Sequence, residues 1–495
     1  MTLLLLLATP LVGAALGLVV RTGRPADGVH LAAAVATALG AALMALDVRA
    51  VGIVRVPGWG LAADPLSAYM ALLVAAVALV AAVSVPSYLG TEAAAGRLEP
   101  VRAARFRPLF HVFVFTMLLA VTTDNLGLMW VAVEGTTLAS VFLITLERTR
   151  ASLEAAYKYL LICSVGIAVA FIGTVLVYFA DLDQGMAAER ALDWSALVAA
   201  APTLPRRVVQ IAFVFLLIGY GTKVGLVPMH TWLPDAHSEA PAPVSALMSG
   251  VLLAVGLYTL LRFRPVVDAA AGPGFASGLL LLFGLVSMGV AAAFLWAPRN
   301  YKRMLAYSSV EHMGFTCLGV AFGGAWGVVG ALLHVVNHAL AKSALFILAG
   351  RILQRVGSAE VAHVRSLARL MPGTAAAFLA GTLALVGLPP FGLFVSEVMI
   401  LRAGFTGGYP LAAGAALVLL VLVFGGVLRA VNRMLYGSPL PPLPPLGDAG
   451  AVPLSPWPLV PIAVNLLLLV VLGLTFPPGL ADALGRIARV VSHGG

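Results

Sequence analysis

Fourteen apolar runs follow one another along these 495 residues, and nothing else constrains the fold as tightly. They fall at 3–20, 28–47, 66–88, 109–122, 125–146, 156–180, 208–228, 241–263, 275–296, 303–322, 325–349, 374–404, 410–435 and 457–476, with 109–122 the shortest. Crossing a bilayer as a helix takes roughly 20 apolar residues. The expected fold is therefore an all-α membrane protein of about fourteen transmembrane helices, forming one polytopic domain over residues 1–495. Composition agrees, since 61% hydrophobic residues, 10% charged residues and a mean hydropathy of +1.02 exclude an ordinary soluble domain. The first run has no basic residue before it and is followed by Arg21 and Arg24, the pattern of a retained span and not of a cleaved signal peptide.

The net charge of +9 does not point to nucleic acid, because Lys and Arg are scattered through many short connections instead of forming one patch. Seventeen of them follow odd-numbered runs, ten lie on the opposite side, and Lys158, Lys223 and Lys342 lie within runs. By the positive-inside rule, both termini face away from the cytoplasm, as expected of a multi-pass protein of a cell's inner membrane. The two cysteines, Cys163 and Cys317, sit in separate runs without a neighbouring thiol, so no disulfide framework, iron–sulfur motif or CxxC metal site is offered. Phosphate-binding loops of the GxxxxGK[ST] or GxGxxG type are missing as well. No cofactor and no metal are expected, and any coupled redox chemistry falls to another subunit.

Ionisable residues inside the runs are the main functional signal: Glu134, Lys158, Lys223, Glu311, Lys342, Glu397 and His338. A charge at the middle of a bilayer costs about 2.5 to 3.5 kcal/mol by insertion scales, so a proton or ion pathway is the first hypothesis. Glu134 has no adjacent cation and needs a partner from another helix, for which Lys223 is the candidate. A separable Glu–Lys pair can take up and release a proton; a static pair would only fix helix register. His334, His338 and Lys342 follow at i, i+4 steps and place three exchangeable groups on one helix face, spread over about 12 Å. Imidazole suits a relay. Structural hydrogen bonding and metal are the alternatives, although no third ligand accompanies the histidines on that segment. Lys158, near the end of its run, is explained as well by snorkelling. Glu311, beside His312, is secondary, and His230 and His237 belong to a surface-exposed polar connection that could line a channel mouth.

Val224-Gly225-Leu226-Val227-Pro228 recurs as Val386-Gly387-Leu388-Pro389-Pro390, with four of five positions agreeing. Gly and Pro at Pro228, Pro389 and Pro390 break the helical hydrogen bonding at matching places. That reads either as discontinuous helices lining a hydrated site near the midplane or as ordinary proline kinks.

The stretch Gly221 to Pro241, with Lys223 followed by PMHTWLPDAHSEAP, resembles the signature of the antiporter-like membrane subunits shared by respiratory complex I, Mrp sodium/proton antiporters and group 4 NiFe hydrogenases. Supporting motifs are Glu134, Lys302-Arg303 before LAYSS, the His334/His338/Lys342 ladder and Phe394-Val395-Ser396-Glu397. Ser308-Ser309-Val310-Glu311-His312-Met313-Gly314 looks most like component F of the hydrogenase-4 type. The resemblance implies two inverted five-helix repeats, at 105–265 and 275–436, after three N-terminal helices at 1–90 and before a final helix at 457–476. It implies proton translocation driven by a neighbouring redox module that carries iron–sulfur or NiFe centres, with Glu134–Lys223 as switch, Lys342 as relay and Glu397 as exit carboxylate. An Mrp-type cation/proton antiporter and a non-pumping structural subunit are the alternatives. Many relatives carry a titratable residue mid-way along the eighth span, where Gly250 to Tyr258 has none, and the nineteen residues after the last run are too few for a long lateral helix.

Overall fold

Many of the helices begin beside a capping residue or a proline. The computed structural model describes residues 1–438 and 454–493. The chain opens with α1 (Thr2–Val19), α2 (Gly23–Val51) and α3 (Pro65–Ala94). Between α2 and α3 lies an antiparallel hairpin, β1 (Val54–Val56) with β2 (Leu61–Ala63), in which Val56 faces Leu61. Next come α4 (Pro100–Val121), α5 (Leu126–Ile144), α6 (Arg150–Asp183), the short α7 (Trp194–Ala200), α8 (Arg206–Val224) and α9 (Trp232–Glu239). A π-helical turn, Met248–Leu252, joins α10 (Ala242–Leu247) to α11 (Leu253–Ala271). The second half holds α12 (Pro273–Leu295), α13 (Tyr301–Phe322), α14 (Gly324–Val356), the one-turn α15 (Leu367–Leu370), α16 (Pro372–Leu385), α17 (Gly392–Thr406), α18 (Pro410–Tyr436), α19 (Leu459–Leu474) and α20 (Pro478–His493).

Side-chain caps set several starts. Asp64, Asn125, Thr149 and Asn300 each accept a backbone N–H from the first turn of α3, α5, α6 and α13. Pro65, Pro100, Pro273, Pro372 and Pro410 open helices where a missing N–H costs nothing. The result is a multi-pass membrane protein: among the described residues, eleven helical stretches are long and apolar enough to cross a bilayer. Apolar residues all round a helix mean that it is enclosed. The segment Ala242–Ala271 and α14 are accordingly the innermost elements, whereas α1, α2 and α18 turn leucines such as Leu39, Leu46 and Leu411 outward.

Two expectations change, and one segment gains a fold. The short run 109–122 belongs to a 22-residue helix that starts at Pro100, so Arg102, Arg105 and Arg107 lie on α4 and not in a loop. Arg262 and Arg264, assigned to a connection, are buried within α11. Arg262 grips Asp64 at 2.5 and 2.8 Å, also bonds Ser67 and Tyr258, and so ties the start of α3 to α11. The residues after the last apolar run fold into α20, which packs on α3, α11 and α14 through Leu484, Ile487 and Val490.

Candidate functional site

In the first half, α6 packs between α5 and α8, and this placement decides how the expected pair is arranged. Lys223, fully buried in the last turn of α8, donates to the hydroxyl of Tyr159 on α6 at 3.2 Å. That hydroxyl in turn shares a 2.7 Å hydrogen bond with Ser140 on α5. Glu134 on α5 is only half-buried and accepts from Ser164 of α6 at 2.7 Å and from Thr137 at 3.1 Å. The direct Glu134–Lys223 ion pair is therefore absent, because α6 supplies each partner with a hydroxyl instead. Lys158 is exposed, 2.7 Å from Glu154 and 3.1 Å from Asp235, which also pairs with Arg303. It belongs to a surface charge cluster, as snorkelling predicts.

The break after α8 is a true interruption of the helix. Gly225 closes α8 in the left-handed conformation at φ +83°, and the Val227–Pro228 bond is cis. Backbone groups freed in an apolar interior need partners. The Ser287 hydroxyl takes the Val227 N–H at 3.0 Å, and Trp232 Nε1 donates to Thr222 O at 2.9 Å. Beyond the break, His230 and His237 are buried, not surface-exposed. His237 stacks on Phe346 of α14 at 4.8 Å with both ring nitrogens unpartnered. It points inward because α9 is clamped against α6 and α13.

The second half gathers the remaining candidates around α14. Lys342 donates to Leu305 O and Ser308 Oγ of α13, both at 2.5 Å. One turn earlier, His338 lies 5.3 Å, ring to ring, from His312 of α13. His312 Nδ1 meets His334 Nε2 at 3.0 Å, and His334 Nδ1 meets Ser396 Oγ at 3.0 Å. His312 thus stands across from both α14 histidines and links them. Glu311 is fully buried with neither carboxylate oxygen hydrogen-bonded, 3.5 Å from His312 Nε2 and within the field of Lys342. Glu311 and His312, expected to be secondary, are central, because α13 turns this face toward α14.

Glu397 completes the cluster from α17. Its carboxylate folds back over the second break, at 386–391, where Pro389–Pro390 is cis and Gly387 sits at φ +69°. A Cβ on Gly387 would stand 2.6 Å from Glu397 Oε1, so glycine makes room for the carboxylate. The His334-x3-His338 spacing offers no third metal ligand on its own segment. Tertiary packing instead joins His334 to His312 and Glu397, whose ligand atoms lie within 4.8 Å of one another.

A model of the transmembrane domain of the NADH:quinone oxidoreductase/Mrp antiporter family matches residues 123–423. The chain belongs to this family. A hydrogenase-4 component F homolog from Methylacidiphilum infernorum (isolate V4) is 38% identical over 77% of this chain and 80% of its own length. NADH-quinone oxidoreductase subunit N from Desulforudis audaxviator (strain MP104C) is 36% identical over 84% of this chain and 83% of its own. A chain from the archaeal membrane-bound sulfane sulfur reductase shares the fold, with a TM-score of 0.86 at 22% identity over 99% of this chain and 97% of that one. The resemblance drawn from the Lys223 motif and the Glu311-His312 segment is borne out.

Within this antiporter-family chain, three features had no sequence signal. Tyr159 and Ser164 look like ordinary α6 residues until α6 is seen between Glu134 and Lys223. Ser249, on the π-helical turn, meets Ser309 at 2.7 Å and gives the eighth span a polar contact, although Gly250 to Leu257 carries no titratable residue. His30 and His111 form a second buried imidazole pair at 3.0 Å, in the N-terminal helices. A polar pocket of about 190 Å³ lies where α3, α5, α9, α13 and α14 end together, lined by Glu92, Glu147, Glu239 and Lys302 among others.

Proposed function

We propose that this chain conducts protons as a membrane subunit of a redox-driven complex of the hydrogenase or NADH:quinone oxidoreductase type. The observation that carries the reading is the set of buried exchangeable side chains His237, Lys342, His338, His312, His334 and Glu397, several with polar atoms left unpartnered. Buried polar atoms without partners cost free energy, about 1–3 kcal/mol each, unless water or a transferred proton satisfies them. Entry is through the polar pocket, where Lys302 Nζ donates to Ser238 O and Ala240 O on either side of Glu239 and next to His237. His237 then bridges the gap left by the eighth span. Lys223, Tyr159, Ser140, Ser164 and Glu134 form a lateral branch in which α6 hydroxyls replace a direct switch pair.

On this reading the chain makes fourteen crossings, with the broken pairs α8–α9 and α16–α17 each counted as one and α13 and α19 as spans. Residues 1–90 supply three N-terminal helices, 105–265 and 275–436 two inverted five-helix repeats, and 457–476 the final helix. In each repeat the fourth crossing is the broken one. Both termini lie on the non-cytoplasmic side of the inner membrane, with the polar pocket opening on the cytoplasmic side. Partners are the other membrane subunits and a peripheral module holding iron–sulfur or NiFe centres. Reconstituted vesicles test this: Glu134→Gln and Lys223→Ala leave the complex assembled and lower proton transport per electron. An unchanged ratio refutes the reading, and transport that requires sodium assigns the chain to Mrp-type antiport instead.

A further inference from the structure

We propose that His312, His334 and Glu397 form a binding site for a divalent transition metal ion of the zinc class. The three side chains come from α13, α14 and α17, and one ligand atom from each lies within 4.8 Å of the others. The geometry suits such an ion. Tetrahedral zinc holds nitrogen and oxygen ligands at about 2.0–2.2 Å, which sets ligand atoms roughly 3.3 Å apart. His312 Nδ1 and His334 Nε2 lie 3.0 Å apart, so this pair needs a shift of a few tenths of an ångström, and the Glu397 carboxylate closes in from within 4.8 Å.

The surroundings supply a second, independent sign. Glu397 Oε1 and both oxygens of Glu311 are buried without a hydrogen-bond partner, and Glu311 adjoins His312. Ser396 holds the other nitrogen of His334 at 3.0 Å, the outer hydrogen bond that fixes ring orientation in imidazole metal sites. Two imidazoles with one carboxylate select zinc-class ions over sodium, magnesium or calcium, which prefer all-oxygen shells. Three protein ligands leave a fourth position for water. Glu397, at 8% exposure, is the most accessible of the three.

Occupancy would take the lone pairs through which His312 and His334 pass a proton, so a bound ion would block conduction. That consequence rests on the relay proposed above; the site itself does not. The test is zinc titration of the purified full-length chain after chelator treatment, with zinc K-edge absorption spectroscopy to read the ligands. The expected result is one zinc per chain, two imidazole nitrogens and carboxylate oxygen in its shell, and no sulfur. Affinity falls by roughly tenfold or more in His312→Gln, His334→Gln and Glu397→Gln, each checked for helical content and thermal midpoint. His338→Gln, outside the trio, leaves it unchanged. No binding at micromolar free zinc, a shell containing Cys317 sulfur, or affinity equal to the parent's in the three variants overturns the site. Zinc bound as expected with proton transport unaltered overturns the relay and leaves the site standing.

Discussion

Tyr159→Phe is the most informative single change, because it removes one oxygen from the first-half network and little else. The ring that lies 5.0 Å from Lys223 Nζ and 4.9 Å from Trp232 is kept, so the packing and the cation–π contact survive. Ser140 keeps its 2.6 Å hydrogen bond to Thr136 O and is not orphaned. What is lost is the hydrogen-bond partner of a fully buried lysine. A hydrogen bond to a charged group contributes about 1.5–3 kcal/mol, and every 1.4 kcal/mol is a factor of ten. If proton transfer passes through a state that needs this bond, transport slows by about 10- to 150-fold. The assay is redox-driven acidification of proteoliposomes containing the whole complex, with assembly checked by native gel. A Tyr159→Phe rate within twofold of the parent, while Lys223→Ala is inactive, refutes a role for the α6 hydroxyl.

Two further outcomes follow from the packing. Gly387→Ala forces a left-handed residue to carry a Cβ, costing about 1–2 kcal/mol, and pushes the Glu397 carboxylate aside; transport should fall as far as in Glu397→Gln, with Ser396→Ala milder, measured in the same vesicles. Arg262→Ala strands Asp64 in a buried site, a loss of about 3–5 kcal/mol, and should lower the thermal midpoint and the amount of protein in the membrane, whereas Arg303→Ala, on the surface, changes neither.

Much of the candidate site was legible because hydrocarbon makes charge expensive. Glu134, Lys223, Lys342, Glu397 and the α14 histidines stood out against apolar surroundings. The i, i+4 ladder was readable because helical periodicity alone places those groups on one face. Pairing was not readable. Glu134 and Lys223 seemed natural partners by charge, but charge complementarity does not tell which helix lies between them. His312 and Glu311 ranked low because nothing in a one-dimensional string says which face of α13 meets α14. His230 and His237 were misplaced for a related reason: a polar, proline-rich connection usually lies at the surface, and here it folds inward after a helix break.

The sequence by itself determined that this is a helical membrane protein, roughly where its apolar spans lie, where two of them can break, and which residue types must carry its chemistry. Those properties depend on local hydrogen bonding, capping and transfer cost, each set within one or two helical turns. Tertiary structure alone decided that α6 separates Glu134 from Lys223, that His312 joins His334 instead of His338 doing so, and that Glu397 reaches back over Gly387 to meet them. Those contacts join residues far apart in the chain, and in an apolar medium they are set by how helix faces pack and not by any local preference.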